Sequence, residues 1–297
     1  MSFQYFVQLI VNGISTGAVY AIIAAGWALI FSVLKFSNFA HGGTMVFAAY
    51  AGMLLTKVIG ANLWLTVLGS ALIGGLLNIA VELISFQRIR TRANQILLLF
   101  VSAITMGMLL QNVVAIKFGG IFYSYPNFFE NTNRYVTLLG LSIDMADVYM
   151  LIVASASIAA LVIVLKKTRL GIAVRALSMD PRATSLMGMN VDLIVLSTFF
   201  IAGALAGIAG VFVGLRTILS PTLGSLYTTK AFMVAVIGGL GSLNGALYAA
   251  IMLGLVETFL TAWIGAPLQP VGSFIFMMFF LVLFPNGLSG NFTTDKA

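Results

Sequence analysis

The residue types that perform chemistry are scarce in this chain, and no group of them has the spacing of an enzyme site. The sequence contains one histidine and no cysteine. It has no pair of carboxylates at metal-ligand spacing and no Gly-Lys-Ser/Thr triplet of the kind that ends a phosphate-binding loop. A nucleophile also needs a base within hydrogen-bond reach. The sequence therefore predicts a protein that is not an enzyme, with no catalytic residue, metal site or cofactor of its own.

The single histidine belongs to a polar segment between the first two apolar runs. Asn38 and His41 lie within Ser-Asn-Phe-Ala-His-Gly-Gly, residues 37–43. One interpretation is a broken helix that lines a transport pathway, since irregular backbone at membrane depth survives only beside protein or a wet cavity. The other is a cytoplasmic turn, with Ser37 or Asn38 as the cap of the next helix. The sequence alone leaves both interpretations open.

Two carboxylates and one lysine lie in or near apolar runs. A charged group at the centre of a membrane helix costs roughly 2.5–3.5 kcal/mol on insertion scales, so such a group usually has a function. Glu257 is predicted to lie on the substrate pathway or to pair helices, whereas Glu82, six residues before Arg88, is predicted to be interfacial. Lys230 is expected to snorkel to the membrane surface. The predicted pathway residues are thus Asn38, His41 and Glu257.

The elements that carry these residues are predicted from composition. The chain has 297 residues, 61% of them hydrophobic and 8% charged, against about 25% charged in a soluble domain. Apolar runs close to the ~20 residues that cross a bilayer recur from end to end. This pattern predicts an all-α polytopic transmembrane bundle, a single transmembrane domain over residues 1–297. The first six predicted spans are Phe6–Val33, Thr44–Ile59, Trp64–Ile84, Ile96–Ile116, Tyr149–Leu165 and Leu193–Leu215.

The last third predicts discontinuous or re-entrant helices. Lys230–Ile264 is too long for one span, and Gly-Gly-Leu-Gly-Ser-Leu-Asn-Gly at 238–245 interrupts it. Close helix packing or a bend between two half-helices explains this glycine-rich stretch. A further apolar run, Phe274–Phe284, stops at Pro-Asn-Gly. Eight or nine crossings are expected in total, which leaves the side of the C-terminus open.

The most basic interruption of the apolar sequence lies at residues 166–192, which hold five of the 15 basic residues. Short loops rich in Lys and Arg remain on the cytoplasmic side. Residues 85–94 are therefore also cytoplasmic, while the N-terminus and residues 118–147 are external. Because the net charge of +7 falls mostly at span ends, it indicates membrane orientation and no nucleic-acid partner.

A short helix is predicted inside this basic loop. Asp180-Pro181 is an N-cap followed by a first-turn proline, and Gly188 offers a stop. Leu186 and Met187, with Ala183 one turn earlier, would form a small apolar face. Residues 166–192 are therefore interpreted as a cytoplasmic coupling loop that docks onto a partner protein, with Pro181, Leu186 and Met187 in its contact surface.

Four ordered motifs resemble one known family across nearly the whole chain. They are Asn38-Phe-Ala-His-Gly42, Thr168-Arg-Leu-Gly-Ile-Ala-Val-Arg-Ala176 with Met187-Gly-Met-Asn190, Lys230-Ala-Phe followed by Ile237-Gly-Gly-Leu-Gly-Ser-Leu-Asn-Gly245, and Phe284-Pro-Asn-Gly-Leu288. The chain resembles the LivH-type permeases of branched-chain amino acid ABC importers. Asn244 departs from the pattern, where the family often has proline.

The resemblance implies a multi-pass subunit of the bacterial cytoplasmic (inner) membrane. It implies a homologous permease partner, two cytoplasmic ABC ATPases that consume the ATP, and a periplasmic or extracellular solute-binding protein. It places Gly171, Arg175, Ala176 and Gly188 in the loop that contacts the ATPase. Relatives also import amides, urea and other amino acids, so the substrate stays open within branched-chain or related amino acids, as does whether the two permeases are identical.

Two other classes of function compete with an ABC permease. An ion-coupled secondary transporter of small solutes usually needs intramembrane carboxylates or an unwound ion site, and this sequence offers mainly Glu257. An intramembrane enzyme would need a nucleophile and a base, which the sequence does not supply. The expected function is therefore the transmembrane subunit of an ATP-driven importer.

Overall fold

The computed structural model describes residues 3–90, 95–119, 121–126, 128, 135–138 and 141–289. Arg92, in the predicted cytoplasmic segment 85–94, lies outside these residues. Glu130 and Arg134, in the predicted external segment 118–147, lie outside them as well. The described chain is almost entirely helical, which confirms the all-α class. Its helices are α1 (Phe3–Leu34), α2 (His41–Ile59), α3 (Leu63–Val81), α4 (Gln95–Phe118), α5 (Met145–Lys167), α6 (Arg169–Met179), α7 (Pro181–Leu186), α8 (Val191–Arg216), α9 (Leu223–Gly238), α10 (Leu243–Ile264) and α11 (Gln269–Leu283).

Helix length and hydropathy separate the spanning helices from the rest. In the described part of the chain, seven helices are long and apolar enough to cross a membrane: α1, α2, α3 with its π-helical extension, α4, α5, α8 and α10. Helices α9 and α11 are apolar but have only 16 and 15 residues. The number of crossings, eight or nine, stays a prediction.

The first six predicted spans agree with α1, α2, α3, α4, α5 and α8 to within a few residues. The main differences lie between the spans. A π-helical turn, Glu82–Phe86, extends α3, and a short antiparallel hairpin pairs β1 (Tyr135–Leu138) with β2 (Leu141–Asp144) in the predicted external loop. The break predicted at 238–245 is confirmed, because α9 ends at Gly238 and α10 begins at Leu243.

Helix α1 is the central element of the bundle. Its Gly13 and Gly17 pack against the backbone of α10 near Gly254, where an added methyl group would overlap the partner helix. Helices α3 and α8 meet in the same way through Gly74 and Gly203. Small residues permit this close approach, and close packing drives helix association in membranes. Two helix pairs, α1 with α10 and α3 with α8, thereby form the tightest seams of the fold.

The two faces of α1 bury two separate apolar cores. One face, which includes Trp27, packs with α2, α3, α4, α5, α6 and α8, and also with one side of α9. The other face, which includes Tyr20 and Ala24, packs with α9, α10 and α11. This arrangement makes α1 a wall shared by both halves of the bundle.

The bundle has two chemically distinct ends. At one end, Gln8 of α1 exchanges hydrogen bonds with the backbone of Ser142, and Arg216 pairs with Asp147 at 3.2 Å. At the other end, Arg90 pairs with Asp192 at 2.9 Å. Most basic residues of the described chain lie at this second end: Lys35, Arg88, Arg90, Lys166, Lys167, Arg169, Arg175 and Arg182. The positive-inside rule assigns that end to the cytoplasm.

A cysteine placed at exposed Ser124 tests this orientation. Because the native chain has no cysteine, Ser124→Cys should react with an impermeant thiol reagent added to intact cells, without background. The matched control is Ser185→Cys, which is exposed on α7 at the basic end and should react only after the membrane is opened. The reverse pattern of labelling would invert the assigned topology.

Candidate functional site

The segment between α1 and α2 turns back into the bundle. Lys35 adopts a left-handed conformation with φ 55°, and the Oδ1 atom of Asn38 accepts a hydrogen bond from the Ala40 amide at 3.0 Å. Asn38 and His41 are 1% and 0% exposed. This burial favours a broken helix over a wet cytoplasmic turn, which would leave these side chains exposed, while the role of the segment in a pathway stays a prediction.

The position of His41 shows how deeply the segment between α1 and α2 enters the bundle. Its imidazole ring lies against Gly26, so that any side chain at position 26 would displace the ring. Gly26 precedes the end of α1 by eight residues, which corresponds to about 12 Å along the helix axis. Neither ring nitrogen of His41 has a hydrogen-bond partner of good geometry within the described part of the chain. The backbone of Ile23 is the polar neighbour that affects the ring. Helix α2 thus begins inside the bundle.

Helix α9 also begins inside the bundle, against the start of α2. Gly224 and Gly42 pack so closely that a methyl group on either would overlap the other helix. Neither helix start has a side-chain cap, since the N-cap positions are Ala40 and Thr222 without cap hydrogen bonds. The N-terminal ends of two half-buried helices, each carrying a partial positive charge, therefore meet in the interior.

A four-residue polar cluster joins α1 to the three helices on its second face. The ammonium group of Lys230 donates to Oε1 of Glu257. Ser273 donates to the same oxygen at 2.9 Å, and Tyr20 donates to Oε2 at 2.5 Å. Lys230, Glu257, Tyr20 and Ser273 are at most 6% exposed. We call these residues the Glu257 cluster.

The Glu257 cluster corrects one prediction from the sequence. Lys230 does not snorkel to the surface, because α9 begins seven residues earlier than the apolar run indicated and places Lys230 in its middle. There the carboxylate of Glu257 neutralises the lysine, and its ammonium also lies 6.0 Å from the centre of the Tyr20 ring. In this conformation Glu257 pairs helices, while its role in the pathway stays a prediction.

The three predicted pathway residues do not converge on one point. His41 contacts α1 at Gly26, whereas Glu257 contacts it at Tyr20. These positions are six residues apart, which is about 9 Å along α1 and 240° around it. Asn38 and His41 flank Ala40 of the first core, whereas Glu257 lies one turn after Leu253 of the second.

The predicted short helix of the basic loop is confirmed as α7. The Asp180 carboxylate accepts hydrogen bonds from the amides of Arg182 and Ala183 at 2.8 and 3.1 Å, and Pro181 opens the helix. The stop is confirmed as well, since Gly188 has φ 78°. Leu186 and Met187 are 88% and 81% exposed. The loop therefore presents apolar side chains to water at the basic end, which is unusual without a partner.

The other predicted coupling residues have different surroundings. Gly171 is buried where α6 crosses the end of α5, and a methyl group there would overlap the Leu165 carbonyl. The Arg175 guanidinium donates to that same carbonyl, so its side chain turns back toward the membrane. Ala176 is half-buried, whereas Pro181 and Gly188 are exposed. The outward-facing part of the set is thus α7 and the residues just after it.

An ion-pair bridge that the sequence did not reveal closes the basic end. Arg90 lies 2.9 Å from both Glu82 and Asp192, so it links the π-helical turn after α3 to the start of α8. Glu82 is fully buried at the start of the π turn, where it pairs with Arg90 at the basic end, and the interfacial position expected for it stays a prediction. The two carboxylates are 110 residues apart in sequence, so no local sequence pattern could predict this bridge.

These features define a class before any comparison is made. In the described part of the chain, seven apolar helices long enough to cross a membrane and two shorter apolar helices form a polytopic membrane protein. The chain belongs to the family described as branched-chain amino acid transport system / permease component, whose model matches residues 9–283. It is a multi-pass protein of the cytoplasmic (inner) membrane, and the LivH-type resemblance is confirmed.

Individual relatives agree with this assignment. The chain is 30% identical to the high-affinity branched-chain amino acid transport system permease protein LivH of Escherichia coli (strain K12), over 99% of this chain and 98% of that protein. It is 27% identical to the corresponding permease BraD of Pseudomonas aeruginosa, over 98% of each. A chain of PsaBC from Streptococcus pneumoniae has the same fold, with a TM-score of 0.50 and 15% identity over 91% of this chain and 90% of that one.

Removal of the Lys230 charge tests the Glu257 cluster. Lys230→Met should lower the stability of the detergent-solubilised protein by about 3–5 kcal/mol, because it leaves a buried carboxylate without its partner. The matched control, Lys57→Met, removes an exposed lysine at a helix end and should change stability by less than about 0.5 kcal/mol. Thermal unfolding measures both.

A double variant separates charge from packing in this test. Lys230→Met combined with Glu257→Leu removes both charges and should recover much of the loss, since apolar replacement of a buried pair is often neutral. Equal unfolding midpoints for Lys230→Met and Lys57→Met would show that the pair does not hold the helices together.

Proposed function

We propose that this chain is the transmembrane subunit through which an ATP-driven importer passes branched-chain or chemically related amino acids. The observation that carries the proposal is the full-length membership in a branched-chain amino acid permease family, joined to an exposed apolar surface on α7. The named activity of the relatives LivH and BraD supports the substrate class.

The energy for uptake would come from partner subunits. In this proposal two cytoplasmic ABC ATPases bind and hydrolyse the ATP, a second, homologous permease completes the membrane unit, and a solute-binding protein delivers the substrate. The α7 surface suits an ATPase groove because Leu186 and Met187 are exposed within a basic, capped and therefore well-defined loop. Helix α6 anchors that loop, since its Gly171 packs directly on the end of α5.

The pathway would run beside the paired starts of α2 and α9. Asn38 and His41 bring buried polar atoms there, and the Nδ2 atom of Asn38 has no hydrogen-bond partner in the described part of the chain. Uncapped helix starts favour the carboxylate of an amino acid. Glu257 and Lys230 could exchange partners with a zwitterion when the helices separate. The closed packing of Gly42 on Gly224 implies that this structure holds the pathway shut.

An ion-coupled secondary transporter is not favoured by these findings. Such a transporter needs an intramembrane carboxylate that can bind or release its coupling ion. Glu257 is already neutralised by Lys230 and hydrogen-bonded to Tyr20 and Ser273. The relatives LivH and BraD are also permease proteins of a transport system, and the family description calls the permease one component of it.

Charges placed on the α7 surface test the docking role. Leu186→Asp/Met187→Asp should abolish ATP-driven uptake in the assembled complex, because two carboxylates would have to be buried in an apolar interface. The α7 side chains are exposed, so the variant should still insert and fold. Uptake and ATPase co-purification measure the effect.

The matched control for this test is Ser185→Asp. Ser185 is an exposed polar residue of the same helix, so a carboxylate there removes no apolar side chain and should leave ATPase co-purification and uptake near the native level. Native uptake by Leu186→Asp/Met187→Asp would reject α7 as the docking surface.

Alanine at the predicted pathway residues tests their role separately. Asn38→Ala and His41→Ala should reduce uptake at least several-fold while the amount of folded protein falls less, because the side chains line the path. The control Asn112→Ala removes an exposed amide that hydrogen-bonds only within α4 and should transport normally. If both pathway variants match this control, the substrate passes elsewhere.

A further inference from the structure

An apolar groove runs along the outside of the bundle between α1, α5 and α10. Small residues line it, among them Ala18, Ala21 and Ala159, together with Ile158 and Ile251. The groove encloses about 420 Å³, and Ser155 is its one polar lining side chain within the described part of the chain. A surface of this kind inside a membrane fits a hydrocarbon chain better than it fits water.

A basic cavity of about 330 Å³ lies at the cytoplasmic end of the same three helices. Lys166 at the end of α5 and Arg175 on α6 line it, with Asn244 from the first turn of α10. No aspartate or glutamate is among its lining residues in the described chain. Two cationic groups without a carboxylate between them make this cavity suitable for an anion.

The groove and the cavity are in line with each other. On α5, Val162 lines the cavity and Ile158, one turn away, lines the groove. On α10, Leu243 and Leu247 have the same relation. The two spaces are therefore consecutive parts of one channel along the helix surface, basic at the membrane interface and apolar above it.

This channel is longer than the hydrocarbon part of one bilayer leaflet. From Lys166 to Leu151, the last groove residue on α5, there are 15 residues, or about 22 Å of helix. One leaflet contributes roughly 15 Å of hydrocarbon. An acyl chain that starts at the level of Lys166 can therefore lie in the groove along its whole length.

We propose that this channel binds an anionic phospholipid of the cytoplasmic leaflet, with its phosphate at Lys166 and Arg175 and one acyl chain in the α1–α5–α10 groove. Basic pockets between transmembrane helices on the cytoplasmic side are suited to such headgroups. The Arg175 guanidinium is already oriented toward the membrane by its bond to the Leu165 carbonyl. The lipid would brace α6, which carries the coupling loop, against α5 and α10.

The test measures lipid binding directly and does not depend on which solute is transported. The full chain, purified with its partner subunits, is stripped of lipid and titrated with short-chain phosphatidylglycerol or phosphatidylcholine, and bound lipid is counted by native mass spectrometry. Phosphatidylglycerol should bind more tightly. Lys166→Gln/Arg175→Gln should weaken its binding by about 30-fold, which is the loss expected for two basic groups at a membrane surface.

The matched control is Lys167→Gln/Arg169→Gln, which removes two exposed basic residues of the same stretch that do not line the cavity. It should change the affinity less than about 3-fold. A second pair tests the groove: Ala159→Trp should fill it and release the lipid, whereas Ile163→Trp, exposed on α5 outside the groove, should retain the lipid.

Other outcomes overturn the proposal. An equal loss of phosphatidylglycerol affinity in Lys166→Gln/Arg175→Gln and in Lys167→Gln/Arg169→Gln would mean that the lipid binds a nonspecific basic surface. Displacement of the lipid by inorganic phosphate at equal concentration would mean a site for a free anion. Loss of permease pairing in Ala159→Trp with unchanged lipid binding would mean that a protein helix, and not a lipid, occupies the groove.

Discussion

The neutralisation of Glu257 by Lys230 is the interaction on which the second half of the bundle depends. A carboxylate and an ammonium group buried at 3% and 5% exposure are stable only while each keeps its partner, since an unpaired buried charge costs several kcal/mol. The pair links α9 to α10, and Tyr20 and Ser273 extend the link to α1 and α11. The two shorter apolar helices, α9 with 16 residues and α11 with 15, are thereby fixed at a defined depth in the bundle.

Close glycine contacts set the positions that the Glu257 cluster then holds. Gly17 on Gly254, Gly74 on Gly203 and Gly42 on Gly224 bring backbones together, and the last contact closes the starts of α2 and α9 against each other. At the cytoplasmic end, Arg90 joins α3 to α8, and α8 follows directly on the coupling loop. Because α8 packs against both α7 and α2, it connects the α7 surface to the interior of the bundle.

Local signals made part of this structure predictable. Apolar runs located the first six spans, and Asp180-Pro181 with Gly188 located α7, because caps act over a few residues. The start of α9 was missed because Thr222–Thr229 looks polar, although Gly224 and Thr228 are buried there against Gly42. Helix α6 was missed because its basic residues suggested a loop, although Leu170, Val174 and Leu177 have helical spacing. The pairing of Lys230 with Glu257 depends on tertiary packing, which no local pattern encodes.

The source of energy is the most direct test of the whole account. The chain alone, and the chain with its ATPases, sister permease and binding protein, should be reconstituted in separate vesicles and assayed for accumulation of a labelled branched-chain amino acid. The account predicts no accumulation by the chain alone under a proton or sodium gradient, and accumulation by the complex only when ATP is supplied to the ATPase side. Gradient-driven accumulation by the isolated chain would contradict it.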